Sequence, residues 1–174
     1  EPGGTGVGER VRCVLLEGGA VPARAEALLF VAARAAQVEE VVRPALEAGR
    51  VVVGDRYELA TLAYQGYGRG LPLEALRQLN AFATGGLRAD VTFVLDVPVA
   101  VAEARRAGAG RAPDRIEREG RAFHERVAEA YRLLAATEPA VELVDGTAGV
   151  EAVHREVLRR LGERFPETFG SRPG

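Results

Sequence analysis

Three short apolar runs, each closed by an aspartate, constrain the fold of this chain more than any other feature. They are VVVGD at Val51–Asp55, VTFVLD at Val91–Asp96 and VELVD at Val141–Asp145. Continuous β-branched runs of this length, separated by long helical patterns, predict a parallel sheet that is covered on both faces. Ligands of such sheets gather at the carboxyl ends of the strands, where the three aspartates lie. Each aspartate is also a common helix cap or turn residue, so the pattern leaves both roles open.

Helical patterns between these runs complete an alternating α/β order. Helical spacing of apolar residues is found in Val7–Glu17, in Ala23–Ala48 with a break near Pro44, and in Leu73–Thr84, Val99–Ala107, Arg118–Ala136 and Val150–Arg164. A chain of 174 residues that is 47% hydrophobic can bury one substantial core. We therefore expect a single domain over residues 1–164 and a flexible tail over residues 165–174.

Composition excludes several classes of function. A net charge of -2 argues against a general nucleic-acid binder, and no apolar run is long enough to cross a bilayer. No signal peptide is visible, so we expect a cytoplasmic protein with neither nucleic-acid nor membrane partners. The single cysteine, Cys13, excludes an internal disulfide, and its apolar neighbours predict core packing.

The stretch GGTGVGER, at Gly3–Arg10, has the glycine spacing of a phosphate-binding P-loop but not its chemistry. A P-loop needs a lysine and a hydroxyl at the positions that Glu9 and Arg10 occupy, and a strand that leads into the loop. The stretch therefore requires another explanation.

Other segments carry residues suited to binding a flat, phosphorylated ligand. Asp55 and Arg56 follow the first apolar run and could hold a metal-bound water and a phosphate, or form a structural ion pair. Phe30 and Arg34 lie four residues apart, so a helix would place them on one face, where they could cradle a heterocycle or simply belong to core and surface. The segment TLAYQGYGRG at Thr61–Gly70, read as a loop, has the mixture suited to a polar pocket wall with close approach of the backbone.

A basic segment, RRAGAGRAPDR at Arg105–Arg115, interrupts the α/β alternation. Its composition predicts a mobile loop, and its four arginines repel one another unless a polyphosphate neutralises them. A solvated basic loop is the alternative. We call residues 105–115 the lid.

The order and spacing of these segments resemble bacterial thymidylate kinase over nearly the whole chain, up to Arg164. EPGGT at Glu1–Thr5 is similar to that family's motif lining the thymidylate pocket, which would explain GGTGVGER as an acceptor loop leading into a helix. LLFVAAR resembles the family's thymine-binding helix, and DRY resembles its D-R-[YH] signature.

The resemblance implies a role for each matching residue. Phe30 would stack on the thymine, Arg34 would hydrogen-bond its edge, and Arg12 and Arg56 would bind the acceptor phosphate. Asp55 would lie near the transferred group and hold its Mg²⁺ directly or through a water molecule. The implied substrate-binding set is Glu1, Pro2, Arg12, Phe30, Arg34, Arg56, Thr61, Tyr64 and Gln65, and the implied catalytic set is Asp55, Arg56, Arg105, Arg106, Arg111 and Arg115. VDGTAGVEAV would skirt the adenine of ATP.

One departure from the family concerns its first strand, its Walker A loop and its first helix, which would precede EPGG. We therefore expect a three-layer P-loop NTPase-type fold that lacks about thirty residues, and a fragment with little kinase activity and poor stability. The resemblance implies an enzyme that uses ATP and Mg²⁺ to phosphorylate dTMP to dTDP for dTTP biosynthesis, as a homodimer. The alternative is a non-catalytic dTMP-binding module that has lost the P-loop.

Overall fold

Helices make up most of the first half of the chain. A computed structural model describes residues 1–17, 19–108 and 110–170. Its first helices are α1 (Gly6–Arg12), α2 (Ala23–Gln37), α3 (Arg43–Glu47), α4 (Glu58–Thr61) and α5 (Leu73–Thr84). Short π-helical segments extend α1 over Cys13–Glu17, join α2 to α3 over Val38–Val42, and extend α4 over Leu62–Gly68. The irregularity between α2 and α3 therefore lies just before Pro44, where the sequence predicts a break.

The second half alternates strands and helices as predicted. Its elements are β1 (Thr92–Asp96), α6 (Val99–Ala107), α7 (Arg121–Thr137), β2 (Val141–Asp145), α8 (Val150–Arg164) and α9 (Pro166–Phe169). The strands pair in parallel from Thr92 opposite Val141 to Asp96 opposite Asp145. The predicted parallel pairing of these two runs is confirmed. The predicted flexible tail begins with α9, and its residues 171–174 lie outside the described part of the chain.

The predicted strand at Val51–Asp55 is wrong for this structure. Across residues 1–17, 19–108 and 110–170, the sheet has two strands, and Val51–Asp55 is extended chain without a strand partner. The exposed fractions of Val51 and Val53 are 57% and 91%. A β-branched run becomes a strand only when a neighbour accepts its backbone hydrogen bonds, and β propensity alone cannot supply that neighbour.

The strand-terminal aspartates stabilise the fold locally. Asp96 accepts from the Arg132 guanidinium of α7 at 2.9 Å, and Asp145 accepts from the amide and hydroxyl of Thr147 at 2.8 and 2.6 Å. These bonds fix α7 beside β1 and close the turn after β2. Asp145 therefore has the turn role, one of the two left open, whereas the ion pair of Asp96 is not predicted by the sequence analysis.

The hydrophobic core lies between α2, α4 with its π-helical extension, α5 and α7. Its fully buried members include Ala63, Leu76, Ala130 and Leu134, and Val94 and Val141 of the sheet pack against it. The predicted packing of Cys13 in the core is wrong because its side chain faces solvent. Of the described helices, none has the length and apolar character needed to cross a bilayer.

The segment Thr61–Gly70 is helical over most of its length, although its three glycines favour a loop. Two of the glycines are required by close packing. A Cβ at Gly66 would come within 2.5 Å of Leu73, and one at Gly68 within 2.7 Å of the Phe123 ring. The glycines therefore let α5 and α7 approach the helix backbone closely.

Candidate functional site

Seven of the predicted site residues line one cavity. Its walls are formed by Glu1, Phe30, Arg34, Arg56, Ala60, Thr61, Tyr64, Gln65 and Ile116. They come from the first residues of the chain, α2, the turn before α4, α4 with its extension, and the segment after the lid. Ala60 and Ile116 are the two lining residues that the sequence does not single out. The cavity holds about 30 Å³, which is room for roughly one water molecule.

Arg34 is the most heavily bonded side chain of the cavity. It is 1% exposed, and its guanidinium donates to both carboxylate oxygens of Glu1 at 2.7 to 3.1 Å. It also donates to the Thr61 hydroxyl at 2.9 Å, to the Asn80 side-chain oxygen and to the Tyr57 carbonyl at 3.1 Å. All five N–H groups of Arg34 therefore have protein acceptors, and a ligand would have to displace one of them.

Arg56 lies at a strained turn. Its φ of 70° is the only positive value among the described non-glycine residues. The guanidinium lies over the Tyr64 ring, 4.8 Å from the centroid, and Tyr64 packs edge-on against Phe123 and Tyr131. Left-handed backbone costs a residue such as arginine about 1 kcal/mol or more, and such strain concentrates at functional sites. The turn holds an exposed cation at the rim of the cavity.

The EPGGT loop is closed by its own side chains. Thr5 caps α1 by accepting from the Gly8 amide at 2.9 Å, and Glu9 accepts from the Gly4 amide at 2.8 Å. The Gly4 amide, a donor that a P-loop would offer to a phosphate, is therefore bound to the Glu9 carboxylate. This agrees with the sequence argument that the stretch lacks the chemistry of a P-loop. Arg12 donates to the Pro2 carbonyl at 3.1 Å, and the Glu1 nitrogen donates to the Asp55 carbonyl at 2.7 Å.

These two contacts, and the chain itself, link Pro2, Arg12 and Asp55 to Glu1 and Arg56, which line the cavity; we call Pro2, Arg12, Asp55 and Arg56 the rim. Pro2 and Arg12 belong to the EPGGT side, and Asp55 with Arg56 belongs to the neighbouring turn. Pro2 is buried, whereas Arg12, Asp55 and Arg56 are exposed. The rim therefore offers two arginines within reach of solvent.

Three of the four lid arginines have partners, and each has a different one. Arg105 donates to the Gly146 and Thr147 carbonyls at 2.8 and 3.1 Å, which ties it to the turn after β2. Arg111 pairs with Glu117. Arg115 is 11% exposed and pairs with Glu26 at 2.6 Å. Arg106 is partly exposed, with no acceptor recorded within the described parts of the chain.

Glu26 and Asn80 are buried partners that the sequence analysis does not single out. Glu26 is fully buried and accepts from Gln65, Arg69 and Arg115. Glu26, Phe30 and Arg34 follow one another at four-residue spacing, so a helical pattern places the acid on the same face as the two predicted residues. Asn80 gives no comparable signal, because its part of α5 reads only as an amphipathic helix.

The Arg111–Glu117 pair predicts a pH response of the lid. Hydrogen bonds from Arg111, opposed by partial burial and assisted by the Asp114 amide, lower the pKa of Glu117 from 4.5 to about 2. The pair therefore stabilises the lid fully above pH 4.5, and this contribution is lost as the pH falls toward 2. The Asp114 amide donates to Glu117 at 3.0 Å. After correction for intrinsic exchange, we expect this amide to exchange about five-fold faster at pH 3 than at pH 6, a modest factor because Arg111 is exposed.

The matched control for this prediction is Glu117→Gln. It removes the Glu117 carboxylate, so the corrected exchange of the Asp114 amide should be the same at pH 3 and pH 6. Equal pH dependence in the two proteins would show that Glu117 does not hold the lid.

The described residues offer one carboxylate to a cation at the rim, that of Asp55. No group of three or more His, Cys, Asp or Glu side chains that could hold a metal occurs in residues 1–17, 19–108 and 110–170. A single exposed carboxylate fits Mg²⁺, which keeps several waters and takes its other ligands from substrate phosphates.

A pocket lined by two aromatic rings, two arginines and several hydroxyl and amide groups has the chemistry needed to bind a nucleotide. Comparison with known proteins is more specific. The family model described as thymidylate kinase matches residues 1–157. The chain therefore belongs to the thymidylate kinase family.

Curated relatives agree with this assignment. The thymidylate kinase of Symbiobacterium thermophilum is 46% identical over 99% of this chain and 83% of its own length. That of Desulforudis audaxviator is 49% identical over 100% of this chain and 80% of its own. That of Desulfovibrio desulfuricans is 52% identical over 80% of this chain and 68% of its own. These similarities confirm the resemblance stated from the motifs and support phosphotransferase activity on a nucleotide.

Proposed function

We propose that the protein transfers the γ-phosphoryl group of ATP to dTMP, giving dTDP for dTTP biosynthesis. The observation that carries this proposal is the convergence of seven residues matching the family's motifs on one cavity, in a chain 46% identical to a thymidylate kinase over 99% of its length. Such transfer requires positioning and charge neutralisation rather than a covalent intermediate.

Arg56 and Arg12 would bind the phosphate of dTMP. Both are exposed at the rim of the cavity, and Arg12 bonds to Pro2 of the same loop that contributes Glu1 to the wall. A guanidinium presents a fork of donors that matches two phosphate oxygens. The strained turn supports this role for Arg56, because it places the guanidinium over the Tyr64 ring, which lines the cavity.

Phe30, Thr61, Tyr64 and Gln65 would form the walls around the thymine and sugar. They supply an aromatic face, a hydroxyl and an amide, which can stack on a ring and bond to its polar edge. Arg34 would bond the base only if one of its protein acceptors gave way. Its hydrogen bonds give it a second role, which is to hold Glu1 and Thr61 in the wall.

Binding would require the cavity to open. Nucleotide-sized ligands occupy pockets of roughly 300 Å³ or more, whereas this cavity holds about 30 Å³. The walls include Arg56 at the rim and Ile116 after the lid. We propose that these two parts move apart when the nucleotide binds.

Asp55 would be the protein group nearest to Mg²⁺, which when bound neutralises charge on the phosphates. The lid arginines would act around the transferred group, and Arg106 and Arg111 are the candidates that the protein core does not hold. Arg105 is better placed to fix the turn after β2, which would adjoin the adenine of ATP.

The proposed fold is a three-layer P-loop NTPase-type fold. The parallel pairing of β1 and β2, and helices α7 and α8 against the sheet, support this proposal. In that fold the exposed run Val51–Asp55 would have a neighbouring strand to pair with.

A homodimer, which the resemblance implies, would use helices α2 and α5. These helices pack on each other, and Leu28 and Phe82 on them are 53% and 88% exposed. Large exposed apolar side chains of this kind mark association surfaces. We expect sedimentation to give a dimer for the unaltered protein and a monomer for Phe82→Glu. A monomeric unaltered protein, or a dimeric variant, would contradict the proposed surface.

Titration calorimetry tests the proposed substrate directly. We expect dTMP to bind more tightly than dCMP and much more tightly than thymidine, because the base contacts select the ring and the two rim arginines require the phosphate. Equal affinities for dTMP and dCMP would contradict the thymine pocket. Equal affinities for dTMP and thymidine would contradict the phosphate role of Arg12 and Arg56.

A further inference from the structure

Glu26 is a buried carboxylate with three different donors. Its Oε1 accepts from Gln65 Nε2 at 2.8 Å and Arg69 Nε at 3.2 Å. Its Oε2 accepts from Arg69 Nη2 at 3.0 Å and Arg115 Nη2 at 2.6 Å. The side chain is 0% exposed. Burial would raise the pKa of Glu26, but the bonds from Arg69, Gln65 and Arg115 lower it below its ordinary value.

The charges around Glu26 balance only when it is ionised. Arg69 also pairs with Glu119 at 2.6 Å, so it retains a carboxylate without Glu26. Arg115 has no second carboxylate among the contacts of the described residues, and it donates otherwise to the Leu15 carbonyl at 2.6 Å. Loss of the Glu26 charge would therefore release Arg115 more than Arg69.

Two of these donors belong to functional parts of the molecule. Gln65 lines the cavity, and Arg115 ends the lid and is followed directly by Ile116, which also lines the cavity. The Arg115 amide donates to the Leu16 carbonyl at 3.1 Å, so the end of the lid is fixed at several points. The bond to Glu26 also orients the Gln65 amide, because its nitrogen faces the carboxylate and its oxygen is left to accept a bond.

We propose that Glu26 is a positioning residue that couples the lid to the pocket, because one buried carboxylate holds both Arg115 and Gln65. This proposal rests on the proposed function for its substrate, dTMP. Through Glu26, a ligand that moves Gln65 changes the position of Arg115 and Ile116, and a closed lid holds the Gln65 amide ready for the base. Neither Arg12 nor Arg56, at the phosphate side, takes part in this coupling.

The test compares Glu26→Gln with Glu119→Gln in the full-length protein. Both changes remove one carboxylate charge from Arg69, but only the first removes the partner of Gln65 and Arg115. We expect Glu26→Gln to weaken dTMP binding about ten-fold to a hundred-fold and to speed amide exchange at residues 115–117. Glu119→Gln should change both by less than about three-fold, because its pair with Arg69 is partly exposed.

A double-mutant cycle separates positioning from general stability. Gln65→Leu and Arg115→Met alter side chains that are joined through Glu26, and neither removes the buried carboxylate. We expect the fold-change in dTMP affinity of the double variant to differ from the product of the two single fold-changes. A fold-change equal to that product would overturn the proposal. The cycle also decides the question if Glu26→Gln fails to fold.

The outcomes distinguish this proposal from the proposed function. If the unaltered protein binds no dTMP, the proposed function falls, and exchange at residues 115–117 in the two Gln variants still tests the link between Glu26 and the lid. If the unaltered protein binds dTMP and Glu26→Gln binds it equally well with unchanged exchange, the coupling proposal alone is overturned.

Discussion

Replacement of Arg56 by alanine should lower the turnover of dTMP by about a hundred-fold to a thousand-fold, the range found when one preorganised donor to a reacting group is removed. Arg56 is an exposed cation at the rim of the cavity, and its guanidinium lies over the Tyr64 ring. The lost interactions are those with the acceptor phosphate, so calorimetry should show weaker binding of dTMP and unchanged binding of thymidine. Steady-state rates with dTMP and ATP varied in turn measure the effect on turnover.

Two further variants make this prediction specific. Arg24→Ala removes an exposed arginine from α2 outside the cavity and should keep normal turnover. Arg56→Gly should lose as much activity as Arg56→Ala but be more stable by about 1 kcal/mol, because glycine adopts a φ of 70° without strain. Near-normal turnover of Arg56→Ala would show that the strained turn serves no catalytic purpose.

Replacement of Arg34 by methionine should lower the free energy of unfolding by about 3 to 5 kcal/mol. The change leaves the buried carboxylate of Glu1 without a partner, since the two side chains are 2% and 4% exposed and 2.7 Å apart. It also leaves the Thr61 hydroxyl and the Asn80 amide oxygen without their donor. Urea denaturation of the variant and the unaltered protein measures the difference.

Arg121→Met is the matched control for Arg34→Met. Arg121 pairs with Glu125 on the surface of α7, with both side chains more than half exposed, so its loss should leave the free energy of unfolding nearly unchanged. Addition of Glu1→Gln to Arg34→Met should restore part of the stability by removing the unpaired charge. A loss below 1 kcal/mol for Arg34→Met would mean that the buried network contributes only specificity, and Arg34 would then be free to serve the base alone.

The sequence predicted β1 and β2 well because their apolar runs have each other as neighbours. The similar run Val51–Asp55 was wrongly predicted as a strand. A strand needs a neighbouring strand to hydrogen-bond with, and the local residue types do not show whether the fold provides one. Thr61–Gly70 failed as a loop for a different reason. Its glycines allow close packing against Leu73 and Phe123. The sequence alone does not distinguish a glycine that makes room for a neighbouring side chain from one that forms a turn.

Most of the cavity could be predicted because motif residues define it, but their bonding partners could not. Arg34 was predicted to face the ligand, and its five donors are bound to the protein. Arg115 was grouped with three lid arginines, and its contact with Glu26 places it against the core. Such distinctions depend on which side chains lie within about 3 Å of one another, a property of the tertiary structure that residue type and spacing do not fix.

The most direct test of the proposed function is an assay of dTDP formation by the full-length protein with ATP, Mg²⁺ and each of dTMP, dCMP and dGMP. The proposed function predicts ATP-dependent conversion of dTMP to dTDP, with dCMP and dGMP phosphorylated far more slowly. Tight binding of dTMP without any dTDP formation, or equal phosphorylation of all three nucleotides, would contradict it.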